Sequence, residues 1–192
     1  GVQTCALPIC LRLPAPTAGR YTVLSHLSIA CVGAGYWGKN LVRVFDSLPS
    51  ARLTHICDAS PEIRARMQGL YPHATITDDY AALLDDSSID AVVLAVPANA
   101  HYETARAALE ADKHVYVEKP LTLQVAHAEE LCALADERGL KLMVGHLLLY
   151  HPGVQTLRGL VQSGQLGDVY YLYAQRVNLG IVRRDEIGRA HV

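Results

Sequence analysis

From His26 onward, short apolar runs alternate with stretches of helical character, and this alternation constrains the fold more than any other feature of the chain. HLSIACVG, ARLTHICD, ATIT, IDAVVLAV, HVYVEKP and KLMVGH read as six strands. Between them lie GAGYWGKNLVRVFDSL, PEIRARMQGL, YAALLDD, NAHYETARAALEAD and VAHAEELCALADERG, and PGVQTLRGLVQSG follows the sixth. Strands separated by helices of about a dozen residues form βαβ units, whose right-handed crossovers build a parallel sheet. Such a sheet is covered on both faces, in keeping with a hydrophobic content of 51%. The class is therefore α/β, with a doubly wound parallel sheet expected over residues 26–150. DVYYLYAQRVNLG, from Asp168, alternates in character and is expected to be the first strand of a truncated α+β domain that begins within residues 151–185. Asp78 or Asp79 is placed to cap the third helix and Asn99 the fourth, and Pro61 suits a first helical turn.

Charge removes several classes of function. A net charge of −2 provides no electrostatic footprint for nucleic acid or an anionic membrane, so neither is expected as a partner. No apolar run approaches the roughly 20 residues a membrane-spanning helix needs. The nine histidines show no H-x-x-x-H or H-E-x-x-H spacing, and no metal site is expected. Cys31 and Cys57 fall in apolar strands and read as buried free thiols in a reducing, cytoplasmic compartment.

The two ends look foreign to the rest. EIGRAHV, from Glu186, can be encoded by a DNA word whose reverse complement, read one base in, encodes TCALPI, the residues Thr4 to Ile9. That word resembles a sequencing-library adapter. Residues 1–25 are therefore expected to be an artefactual or unstructured extension, and residues 186–192 an adapter-like tail.

Gly33-Ala34-Gly35-Tyr36-Trp37-Gly38 is a G-x-G-x-x-G turn between a strand and a helix, with Asp58 at the end of the second strand, 20 residues past Gly38. Together these features form the fingerprint of a dinucleotide-binding Rossmann domain. Gly33 permits the tight turn, Gly35 lets the backbone approach a pyrophosphate, and Gly38 allows close helix–strand packing. The Trp37 backbone is expected beside the pyrophosphate, at the start of a helix whose N–H groups face it. Asp58 would accept hydrogen bonds from the adenosine ribose hydroxyls. A 2′-phosphate there would meet a carboxylate, at a cost of about 1–4 kcal/mol, so NAD is expected over NADP. Arg64 could soften that preference.

HVYVEKP ends a strand with a carboxylate, an ammonium and a proline, and ligands of such sheets lie at the strands' carboxyl ends. Pro97 ends the fourth strand on the same side. The glycine fingerprint, the AVPANAH segment from Ala95 to His101 and the EKP triplet from Glu118 to Pro120, in that order, resemble the N-terminal domain of the Gfo/Idh/MocA oxidoreductases over about residues 26–180. The resemblance implies that Lys119 lies near the nicotinamide and the substrate hydroxyl. Chemistry agrees, because oxidising a secondary alcohol requires a proton acceptor as hydride departs, and a partly desolvated lysine serves. Glu118 reads as orienting the site or meeting the nicotinamide ribose, and Pro120 as fixing the turn; a solvated loop pair is the alternative. His101 stands at the family's usual histidine position, either contacting the cofactor or satisfied within its helix.

GHLLLYHP, from Gly145 to Pro152, resembles the family's next motif, with Leu149 where an arginine is common. With QRVNLG from Gln175, this form looks closer to members acting on nucleotide-linked amino sugars and uronates. His146, Arg176 and Asn178 are candidate substrate contacts, with a backbone-satisfied histidine and a solvated strand face as alternatives. The resemblance implies further catalytic residues beyond Asp185 and a homo-oligomer formed through a C-terminal sheet, so this chain alone is expected to be inactive. The rival readings are a non-catalytic NAD-binding regulatory module and a biliverdin-reductase-like or dihydrodipicolinate-reductase-like enzyme.

Overall fold

The computed structural model of the chain describes residues 26–175. The strands are β1 (Leu27–Val32), β2 (Ala51–Cys57), β3 (Thr75–Thr77), β4 (Ala91–Leu94), β5 (His114–Val117) and β6 (Leu142–Val144). The helices are α1 (Gly38–Ser47), α2 (Pro61–Leu70), α3 (Tyr80–Asp85), α4 (His101–Glu110), α5 (Val125–Glu137) and α6 (Pro152–Gln162). All pairings are parallel, in the order β3-β2-β1-β4-β5-β6. The order reverses between β1 and β4, which opens a crevice at their carboxyl ends.

Right-handed crossovers in opposite directions send helices to opposite faces of the sheet. Two buried clusters follow from this. Val92, Leu94 and Val117 pack with Ala105, Leu109 and Leu131 of α4 and α5, whereas Cys31, Ile56 and Val93 pack with Leu41, Val42 and Met67 of α1 and α2. Every residue of β4 is buried, as expected for a central parallel strand. Local chemistry sets the boundaries: the Ser60 hydroxyl accepts from Ile63 N ahead of Pro61, and the Asp79 carboxylate accepts from Ala82 N at 2.9 Å.

Two local details differ from expectation. Residues 168–175 form no strand, and Tyr170, Tyr171 and Tyr173 are largely exposed. Alternation favours a strand only where a neighbouring strand supplies the ladder, and the described residues supply none there. Asn99 does not cap α4; it lies within a 3-10 turn (Ala98–Ala100) that runs directly into the helix at His101. The Thr104 hydroxyl donates back to Ala100 O at 2.7 Å.

Candidate cofactor site

Backbone hydrogen bonds bring the predicted segments side by side at one edge of the sheet. Gly33 N donates to Cys57 O, Ala95 N to Val32 O, Glu118 N to Leu94 O and Gly145 N to Val117 O, all at 2.8–3.0 Å. The glycine turn, the segment after β4, the EKP turn and the loop after β6 thus follow one another across the carboxyl ends.

Each fingerprint glycine has its own reason. Gly33 adopts φ +83°, and a Cβ there would lie 2.6 Å from Ala95 O. A Cβ on Gly38 would lie 1.9 Å from Gly33 O, so the helix could not start where it does. At Gly35 a Cβ would meet nothing within 4 Å; its side of the turn is open. Ala34 is buried, while Tyr36 and Trp37 are exposed, with the Lys39 ammonium 5.6 Å from the Tyr36 ring centroid. Trp37 leads into α1, whose first turn has no acidic residue and whose start has no side-chain cap.

Asp58 sits beside this turn. Its Oδ2 accepts from Ala34 N at 2.7 Å and its Oδ1 from Ser60 N at 2.9 Å. Each oxygen retains a second lone pair, so the carboxylate can still accept a hydroxyl. Arg64 is committed elsewhere: it donates to Asp58 O and Ala59 O and pairs with Asp78 at 2.8 Å. The arginine that reaches the glycine turn is Arg66, which donates to Ala34 O at 3.1 Å. Arg66 was not singled out from sequence, although its spacing from Arg64 puts it on a different side of α2.

At β5, Glu118 is buried and Lys119 is exposed. The Glu118 carboxylate accepts from the Tyr116 hydroxyl at 3.2 Å and from Lys119 N at 3.3 Å. Burial, then the charge and hydrogen bond of Glu118, push the Tyr116 hydroxyl well above its ordinary range, so it remains a donor. Tyr116 and Gly145 are site residues that sequence reasoning missed. Tyr116 lies two residues before Glu118, and that period of two was the available signal. A Cβ on Gly145 would lie 2.7 Å from the Tyr116 hydroxyl and 2.8 Å from Glu118 Oε1, so glycine leaves room for the pair. The desolvation expected for Lys119 is not supplied by the described residues.

Pro97 is exposed at the end of β4. His101 is buried, with Nδ1 2.6 Å from Pro120 O and Nε2 2.9 Å from Val96 O. Its ring therefore lies beneath the crevice, engaged by protein. His146 is exposed after β6, next to the buried Gly145. Arg176 and Asn178 lie outside the described residues, as do residues 1–25 and the tail. Among the described residues, no cluster of three potential metal ligands forms, and no helix is long and apolar enough to cross a membrane.

The geometry matches known proteins. A model of the oxidoreductase family with an NAD-binding Rossmann fold, GFO_IDH_MocA, matches residues 27–146. The chain is 33% identical over 147 residues to the uncharacterized oxidoreductase YdgJ of Escherichia coli, covering 76% of the chain and 42% of that protein. It is 35% identical over 158 residues to the dTDP-3,4-didehydro-2,6-dideoxy-alpha-D-glucose 3-reductase of Streptomyces violaceoruber, covering 82% and 46%. A 3-ketoreductase of Actinomadura kijaniata, solved with NADP and TDP-benzene, superposes with a TM-score of 0.67 at 30% identity, over 73% of this chain and 43% of that one. The scyllo-inositol dehydrogenase of Lactobacillus casei shares the fold, with a TM-score of 0.71 at 23% identity over 77% and 44% of the two chains. The chain thus spans less than half the length of these relatives. It belongs to the Gfo/Idh/MocA family of oxidoreductases, and residues 27–146 are that family's NAD-binding Rossmann domain.

Proposed function

We propose that this domain binds NAD in preference to NADP and serves an enzyme that moves hydride between the nicotinamide and a secondary alcohol of a sugar or nucleotide-sugar. The observation that carries the reading is the alignment of three groups along one crevice: the open side of Gly35, the Asp58 carboxylate and the EKP turn. Gly35 and the start of α1 would face the pyrophosphate. Asp58, held by two backbone N–H groups, would accept the adenosine ribose hydroxyls and repel a 2′-phosphate. Arg66, exposed at the turn, is the nearby cation that would moderate that repulsion.

When bound, the nicotinamide supplies or takes the hydride. Lys119 then handles the proton at Nζ: as the amine it accepts the hydroxyl proton during oxidation, and as the ammonium it stabilises charge on the carbonyl oxygen during reduction. Glu118 orients the turn through Lys119 N, and Tyr116 keeps Glu118 in place. The complete protein would hold its substrate between this domain and a second one, with His146, Arg176 and Asn178 on the substrate side, and would assemble as a homo-oligomer through that second domain. A dTDP-sugar reductase among the relatives favours nucleotide-linked substrates.

Assay of the complete protein with NAD or NADH and a panel of nucleotide-linked sugars, free inositol and free glucose tests this reading. Turnover on a nucleotide-sugar supports it. Turnover confined to free inositol or glucose overturns the nucleotide-sugar assignment.

A further inference from the structure

The backbone ladder between β4 and β5 stops at a definable point, and a side chain takes over there. In parallel strands the donors recur every second residue. Glu118 N donates to Leu94 O at 3.0 Å, so the next rung would run from residue 120 to Val96 O. Residue 120 is a proline, which has no N–H, and that rung cannot form. The His101 ring lies where it is missing, 1% exposed, with Nε2 2.9 Å from Val96 O and Nδ1 2.6 Å from Pro120 O. It reaches the acceptor that the proline leaves unserved and also holds the proline's own carbonyl. Carbonyls only accept, so each contact needs a hydrogen on the facing nitrogen; a neutral ring makes one bond and a doubly protonated ring makes both.

We propose that His101 is the positioning residue of the EKP turn: its Nδ1 holds the Pro120 carbonyl while its Nε2 stands at the Val96 carbonyl that Pro120 cannot serve, and the first of these contacts fixes where Lys119 points. The inference builds on the reading of Lys119 given above, but the clamp itself stands on geometry alone. His101 touches neither cofactor nor substrate in this role. It links the two loops that border the nicotinamide end of the crevice, at the first residue of α4, so the helix anchors both.

Amide hydrogen exchange on this chain tests the clamp. His101→Ala, shown folded by circular dichroism, is expected to exchange at least about tenfold faster at the Glu118 and Lys119 amides, which donate to Leu94 O and to the Glu118 carboxylate, with β1, β2 and β3 unchanged. His101→Asn, which places an amide donor near the Nδ1 position, restores protection of those amides. His101→Gln, whose donor falls nearer Nε2 and Val96 O, restores less. In protein with 13C-methylated lysines, the Lys119 resonance, identified by its loss in Lys119→Arg, moves in His101→Ala and returns in His101→Asn. Unchanged exchange at the Glu118 and Lys119 amides, or equal loosening throughout β1 to β3, overturns the proposal. If His101→Ala does not fold, the Asn and Gln variants decide, and equal exchange in the two overturns it. Titrating wild type with NADH separates the two readings. A Lys119 resonance that ignores NADH counts against the role given to Lys119, while the exchange data still decide the clamp.

Discussion

Strand β5 has a lysine just outside each end, and the two are in opposite situations. Lys113, before the strand, is buried, and its ammonium donates to Asp86 O at 2.7 Å and Ile89 O at 2.9 Å. Lys119, after it, is exposed at the mouth of the crevice. At the amino end a charge is tied into the structure by two carbonyls, of which Asp86 O also accepts from Ile89 N at 3.2 Å. At the carboxyl end the neighbouring groups are tied down instead: Glu118 by Tyr116 and Lys119 N, and Pro120 by His101. The same residue type is a structural brace at one edge and, in the reading proposed above, a proton-handling group at the other.

Swapping out each lysine should separate these roles, and the largest effect is expected on rate. Lys119→Ala should lower turnover of the complete protein by about 10²–10⁴-fold, with NADH affinity nearly unchanged and stability within about 0.5 kcal/mol. Steady-state kinetics and thermal melting would read both. Lys113→Met should do the reverse. It takes the ammonium donor away from Asp86 O, which keeps Ile89 N, and from Ile89 O, and should cost about 1–3 kcal/mol in urea unfolding, while the folded fraction binds NADH as before. A Lys113 variant that stayed stable but lost cofactor would break the contrast.

The glycine turn sharpens the distinction on a smaller scale. Gly35→Ala meets no protein atom, so stability should change by less than about 1 kcal/mol, while NADH affinity falls by about tenfold in calorimetric titration. The smallest effect concerns the core between the two edges. Burial pushes the Cys57 thiol up from 9.0 to about 11 and that of Cys31 to about 12. A raised value means folding favours the protonated thiol. Its contribution is therefore whole below about pH 9 and is lost as pH climbs toward 11 and 12. Urea midpoints measured between pH 8 and 11 should fall, and Cys57→Ala should flatten part of that fall.

Much of this was legible in the sequence, for physical reasons. A buried parallel strand leaves an unbroken apolar run, so β4 and β5 announced themselves, and the fingerprint glycines signal backbone demands that few other residues meet. What failed to show was whatever depends on a partner distant in sequence. Tyr116 reads as one more apolar strand residue until Gly145 comes beside it. Arg66 gains meaning only when α2 folds against the glycine turn, and the partners of Arg64, Asp78 with Asp58 O and Ala59 O, likewise show only in the folded chain. His101 was visible as a histidine in a motif. The missing rung beside it appears only once β4 and β5 are paired in register.

The most direct test uses Trp37, the chain's single tryptophan, within the glycine turn. Exciting it while adding NADH and, separately, NADPH reports whether a dihydronicotinamide binds beside that turn. The account predicts quenching with energy transfer to both, saturating at a much lower concentration of NADH than of NADPH because of Asp58. Absence of transfer with either cofactor, from protein shown folded by circular dichroism, would contradict the assignment of the crevice as a cofactor site.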